Sequence, residues 1–350
     1  MPNIPPLEKI NDPRAWEGRE LVEAQSSWLL ELTHEAISDL EQAAEHFLSL
    51  GLDVGEITAG TFPLKVFEQH LKELSQKLVS GIGFEVIRGL PIERYNREFA
   101  AAIFCGIGAH LGSARSQNAD GHILGHVRDI GADANDTNTR IYQTSQRQTF
   151  HTDSSDVVGL LCLKNAKSGG DSLLVSAVTI FNKMVELRPD LLPFLFDPIA
   201  TDRRGEIPIG ELPYMQIPPL NWHNGLLTVF YQRQYIDSAQ RFDGAMELTD
   251  QHVEALNMFD TLADNPDLHL TMRLEPGDMQ FVYNHAFLHD RTGFIDWPEL
   301  ENRRHLLRLW LSMPQDRELP SCFKERYGSI EIGNRGGIIT KNTKLHAPLN

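Results

Sequence analysis

Short runs rich in branched and aromatic residues, closed by Gly and Pro turns, stand on both sides of a helical block in this chain, and that distribution limits its fold most. Residues 83–91, the stretch around His151, residues 157–163 and residues 173–175 precede the block; residues 268–274, 278–283 and 305–312 follow it, with residues 226–231 inside it. Within the block, residues 176–196 read as helix, with Ile180, Phe181, Met184 and Leu187 in phase and Pro189 starting a new turn, and Thr249 or Asp250 caps a helix through about Leu262. Strands separated in this way pair across the insertion. The expected fold is mainly β with flanking helices, an antiparallel double sheet of the jelly-roll type (a double-stranded β-helix), rather than a βαβ succession.

Upstream, periodicity begins after Thr33, where Ile37, Leu40, Ala44, Phe47 and Leu48 form one stripe that Gly51 ends. Phe67, Leu71, Leu74 and Leu78 form a second, ended by Gly81, and a third helix is expected from Asn96 to about Leu111. Residues 1–30 read as an irregular arm. Residues 1–80 are thus expected to be an arm and helices packed on a core of residues 81–350, all in one structural domain. Residues 112–138, polar and weakly periodic, read as a candidate lid, because loops of that length tend to be functional.

The formal charge of −16 argues against nucleic acid or an anionic membrane as partner, since phosphate-rich surfaces need basic fields. No run approaches the roughly 18 apolar residues of a membrane span. Pro2, Pro5, Pro6 and Pro13 interrupt an amino terminus that has no secretory core. Three scattered cysteines, Cys105, Cys162 and Cys322, fit a reducing compartment better than a disulfide framework. A cytoplasmic protein acting on a small molecule is expected, with self-association left open.

The chemistry concentrates in His151-Thr152-Asp153. Thr149, Phe150 and Thr152 favour extended backbone, in which residues i and i+2 share a face, so His151 and Asp153 are expected to point into one space. An imidazole beside a carboxylate is two thirds of the facial set that binds non-haem Fe(II). The third member must be remote, and His285 or His289 could supply it. Arg304 and Arg308 share a strand face with Leu306 and Trp310, and guanidiniums on so apolar a strand need an anionic partner: a protein carboxylate or a bound dicarboxylate. His110, His122 and His126 have no partner at metal-ligand spacing.

His151-Thr152-Asp153, the turn Gly169-Gly170-Asp171-Ser172, Leu288-His289-Asp290-Arg291 and the run from Arg303 to Arg308 together resemble the taurine dioxygenase-like (TauD/TfdA) family of Fe(II)- and 2-oxoglutarate-dependent oxygenases, over roughly residues 80–335. The resemblance implies a clavaminate synthase-like jelly-roll in which His151, Asp153 and His289 hold the iron, Arg304 pairs with the distal carboxylate of 2-oxoglutarate, and Ser172 hydrogen-bonds it. Arg308 resembles a position close to both cosubstrate and substrate. The implied reaction consumes O2 and 2-oxoglutarate, releases succinate and CO2, and oxidises an unactivated C–H bond of a small anionic or amino-acid-like substrate. Ser172 stands where Thr is usual, and the fifteen residues from His289 to Arg304 exceed the usual gap.

For substrate contacts the flanking stretches offer Gln146, Gln148 and Phe150, then Tyr283, Asn284 and His285. Three other readings stay open on sequence grounds. They are desaturation or cyclisation at the same metal site, a zinc-dependent hydrolase or lyase, and a double-sheet binding protein without catalysis.

Overall fold

The computed structural model of the chain describes residues 7–133, 139–341 and 343–350. The strands of its two main sheets, in chain order, are β1 (Leu29–Glu31), β2 (Phe84–Arg88), β3 (Ser113–Ala114), β4 (Leu124–Val127), β5 (Gln148–His151) and β6 (Val157–Lys164), followed by β7 (Ser172–Ser176), β8 (Leu270–Met272), β9 (Met279–Tyr283), β10 (Phe287–Arg291) and β11 (His305–Ser312). A large sheet runs β1-β2-β9-β6-β11-β3, with β4 also on β11. A small sheet runs β8-β7-β10-β5. Neighbours within it come from far apart in the chain, as the helical insertion requires, and the expected jelly-roll is the observed fold. One pair departs from the antiparallel rule: β1 lies parallel to β2, Leu29 opposite Val86.

Helices cover the outer face of each sheet, which leaves the inner faces for the site. On the large sheet, His34–Ser49, Glu68–Ser80 and Arg97–Leu111 bury Leu40, Phe47, Leu74 and Phe104 against Phe84, Phe281 and Leu309. Thr33 caps the first of these by accepting from the Ala36 amide, and Asn96 caps the third in the same way through Phe99. On the small sheet, Ala177–Leu187 and Asp250–Ala263 bury Phe181 and Phe259 with Phe150, Val175 and Leu288. The helix expected over residues 176–196 breaks at Arg188, because Pro189 lacks an amide donor, and continues as the 3-10 segment Pro189–Phe196.

Two expectations about loops need correction. Residues 1–6 lie outside the described residues, but the rest of the supposed arm is built into the fold: Gly18–Glu23 is helical and Leu29–Glu31 is the edge strand β1. The candidate lid contains β4, whose Leu124 and Val127 pair with Leu309 and Leu306 of β11, so that portion is sheet; residues 134–138 lie outside the described residues.

A fully buried charge network closes one end of the barrel. Arg335 donates to Asp156 Oδ1 and to Asp316 Oδ2, each at 2.8 Å, and to the Arg317 carbonyl at 2.8 Å. His285 Nε2 meets Asp156 Oδ1 at 2.8 Å, and Tyr283 Oη donates to Asp316. Removing one cation from such a network strands buried carboxylates, at a cost of about 3–5 kcal/mol. Arg335→Ala should therefore lower the unfolding free energy by about that amount in denaturant titrations, and a midpoint equal to that of the unmodified chain would show that the network does not hold this end together.

Candidate metal centre

The pairing of β5 with β10 sets His151 directly opposite His289, and it contains an irregularity. Arg291, two residues beyond His289, is opposite Gln148, three residues before His151. The extra residue on β5 is a bulge, which turns both Gln148 and His151 toward the cavity between the sheets instead of to opposite faces. The rings of His151 and His289 stand 4.2 Å apart, centroid to centroid. The Thr149 carbonyl accepts from His151 Nδ1 at 2.8 Å, which fixes the tautomer and leaves Nε2 with a lone pair facing inward, next to the Gln148 amide. Burial, reinforced by the adjacent His289 ring, pushes the His151 pKa down to about 3, so the ring is neutral and free to donate its lone pair.

Asp153 reaches the same point by a different route. The strand stops at His151, and Asp153 lies in the following loop, its amide donating to Asn284 Oδ1 at 2.9 Å while Asn284 Nδ2 donates to the Asp153 and Ser155 carbonyls. Its carboxylate lies 3.6 Å from His289 Nε2, and one donor atom from each of His151, Asp153 and His289 lies within 4.8 Å of the others. The set has two imidazole nitrogens and one carboxylate oxygen converging at a cavity wall, and this chemistry suits a divalent first-row ion with open positions. His289 Nδ1 is buried without a hydrogen-bond partner. Burial works against the Asp153 charge, yet Arg308 and His289 outweigh it and hold its pKa well below the usual carboxylate range. Arg308 Nη1 at 3.2 Å and Trp310 Nε1 at 2.8 Å both donate to Asp153 Oδ2.

From this point the cavity extends in two directions. One lobe is lined by Val158, Leu160, Ser172, Leu306, Arg291 and Arg304. Ser172 is opposite Arg291 in the β7–β10 register, so both face inward. Arg304 is 4% exposed and, among the described residues, has no carboxylate within ion-pair distance; its nearest acceptor is the Gly170 carbonyl at 3.5 Å. Arg291 donates to the Gln146 carbonyl, but its Nε and Nη1 are buried without partners. Both guanidiniums lie over the Phe294 ring, at 4.7 and 5.3 Å. Burial pushes the Arg304 pKa down to about 10, and burial with Arg304 as neighbour pushes Arg291 down to about 9. Buried cations without counter-charges are costly, so this lobe is made for an anion.

The other lobe adjoins His151, Thr152 and Asp153 and is lined by Arg140, Arg203, Arg204, Gln232, Tyr235 and Arg326. Arg308 borders both lobes. Its Nε donates to Gln117 Oε1 at 2.7 Å, and its guanidinium lies 4.8 Å from the Tyr142 ring, which holds it where it braces Asp153.

Three residues expected at the substrate lie elsewhere. Phe150 sits on the outer face of β5, packed in the helical core and against His269 at 5.6 Å. Tyr283 is three residues from the cavity-lining Gln280 on β9, an odd interval that puts it on the opposite face. His285 is 0% exposed within the Asp156–Asp316–Arg335 network, so its proximity to His289 in sequence does not place it beside that ring. Gln146 meets the cavity only through its carbonyl to Arg291. Arg291, Trp310 and Asn284 are the site residues the motif reading left without these roles. Arg291 was legible from its i+2 spacing to His289.

The sequence matches the family described as Taurine catabolism dioxygenase TauD, TfdA family over residues 48–310. It is 33% identical over 318 residues to FR-33289 synthase of Streptomyces rubellomurinus, covering 89% of this chain and 93% of that one. It is 31% identical over 311 residues to the taurine hydroxylase-like protein SAT17 of Stachybotrys chartarum, covering 86% and 79% respectively. Among solved structures, an asparagine oxygenase bound to Fe(II), 3-hydroxyasparagine and succinate superposes with a TM-score of 0.64 at 18% identity, covering 81% of this chain and 93% of its own. The fold and the family together define a non-haem iron, 2-oxoglutarate-dependent oxygenase. The chain belongs to the TauD/TfdA family.

On the large sheet, His305 of β11 and His126 of β4 share a hydrogen bond at 2.8 Å, and burial pushes the His305 pKa down to about 3. A folded-state pKa below the unfolded value means that, as pH falls from about 6.5, the unfolded chain takes up the proton first and stability declines. His305→Asn should flatten the pH dependence of unfolding free energy between pH 6.5 and 4 by up to about 1.4 kcal/mol per pH unit. An unchanged slope would show that His305 keeps its ordinary pKa.

Proposed function

We propose that His151, Asp153 and His289 hold the ferrous ion, and that the lobe ending in Ser172, Arg291 and Arg304 receives 2-oxoglutarate. The observation that carries this reading is the pair of buried, acid-free guanidiniums at the far end of a cavity that begins at the His/Asp/His cluster. A hydrolytic zinc site would have no use for them. Arg304 and Arg291 would neutralise the distal carboxylate, Ser172 would donate a hydrogen bond to it, and Val158, Leu160 and Leu306 would keep water out.

With iron, 2-oxoglutarate and O2 bound, the site supplies the oxidising power to attack an unactivated C–H bond with release of succinate and CO2. The protein's own work is positional. Arg308 and Trp310 keep Asp153 ionised and aimed, the Thr149 carbonyl keeps His151 in one tautomer, and the arginine-lined lobe beside His151 and Asp153 receives the substrate. The substrate is accordingly a small anionic molecule, oxidised at an unactivated C–H bond.

Succinate formation under air with ferrous iron and ascorbate tests the reading. His151→Ala and Asp153→Ala should abolish it, whereas Arg304→Ala should raise the 2-oxoglutarate KM by about tenfold or more through loss of a charge-assisted pair. Iron-independent turnover, or an Arg304→Ala variant with unchanged KM, would overturn the assignment.

A further inference from the structure

We propose that Arg140, Arg203, Arg204 and Arg326 form a subsite for a terminal phosphoryl dianion carried by the substrate, either a phosphonate or a phosphate monoester. The proposal rests on the preceding reading in one respect: it takes the lobe beside His151 and Asp153 as the substrate's. All four guanidinium side chains line that lobe.

Their charges are unequally balanced. Arg140 is ion-paired with Glu206 and donates Nη1 to the Gln117 carbonyl at 2.7 Å. Arg203, whose side chain is 1% exposed, donates Nε to the Leu212 carbonyl at 3.0 Å and meets Glu211 at 3.4 Å. The other two have no acid within ion-pair distance among the described residues. Arg204 donates Nη2 to the Thr139 carbonyl at 3.1 Å and stacks 4.9 Å from the Tyr235 ring, while its Nε is buried without an acceptor. Arg326 donates Nε to Ser154 Oγ at 2.6 Å, and burial beside Arg140 and Arg203 pushes its pKa down to about 9. Arg204 also holds a φ of 54°, a left-handed conformation that is uncommon for a side chain of this size.

A chain with a net charge of −16 has many carboxylates, yet among the described residues none forms an ion pair with Arg204 or Arg326. Two cations without an acid partner among the described residues, with two more guanidiniums beside them, match a group with two negative charges. Shape narrows it further. A carboxylate has two coplanar oxygens and accepts guanidinium forks best within its own plane, whereas a terminal phosphoryl group presents three oxygens in a pyramid and can accept from forks arriving from several directions. A sulfonate has that shape with only half the charge.

Calorimetric titration of the full chain, loaded with Fe(II) and 2-oxoglutarate without oxygen, tests this with four probes: methylphosphonate, methyl phosphate, methanesulfonate and acetate. At least one phosphoryl probe should bind about tenfold or more tightly than methanesulfonate and acetate. Whichever phosphoryl probe binds better identifies the source of the group. Arg326→Ala and Arg204→Ala should each weaken that binding about tenfold, with partial recovery in Arg326→Lys, which retains the charge and also serves if the alanine variant does not fold. Equal binding of all four probes, or wild-type affinity in the variants, would overturn the proposal. The visible band formed when 2-oxoglutarate joins the ferrous protein separates the two readings. Its absence would count against the iron and cosubstrate assignment, while phosphoryl binding to the iron-free chain would leave this subsite standing.

Discussion

Everything at the centre of this molecule depends on the pairing of two short strands, Gln148–His151 and Phe287–Arg291. One added residue on the first strand brings Gln148 and His151 to the same side, opposite Arg291 and His289. In a regular ladder one of these residues would face the helices, where Phe150 and Leu288 now pack. The small sheet can hold this irregularity because the helical insertion covers its outer face and anchors the residues between. Stability on one side of the sheet thus supports geometry on the other.

Charge is distributed in the interior with the same economy. Asp156 and Asp316 are matched by Arg335 and His285, and Asp153 by Arg308. By contrast, Arg291 and Arg304 at one end of the cavity, and Arg204 and Arg326 at the other, have no acid of their own among the described residues. Desolvated cations are costly enough that such a pattern marks the places where something else must bring the negative charge. The Asp153 carboxylate lies between the two groups, and Arg308 touches both lobes.

Much of this was legible from the sequence. Thr33, Asn96 and Thr249 announced their helices because a capping hydroxyl or amide acts locally, and the run 305–312 read as a strand because its apolar residues are continuous. Arg304 and Arg308 were assigned one face by parity, and both do line the cavity. Where the backbone is irregular, parity alone does not explain the outcome. His151 and Asp153 converge although the strand ends between them, through an Asn284 side chain 131 residues away. Tyr283 and His285 flank the right motif but belong to the Arg335 network, and the contact responsible, with Asp316, lies some thirty residues downstream, beyond the reach of local pattern.

That distant arginine also bears on how the protein comes into being. Asp156 is three residues from Asp153, and its charge is balanced by a side chain 179 residues further along the chain. A polypeptide emerging from the ribosome exposes the His151–Asp153 segment long before Asn284, Arg308, Trp310 and Arg335 are made, so the loop carrying Asp153 gains these supports only as those later residues appear. The convergence of His151, Asp153 and His289 is thereby tied to contacts that a shorter nascent chain does not yet contain.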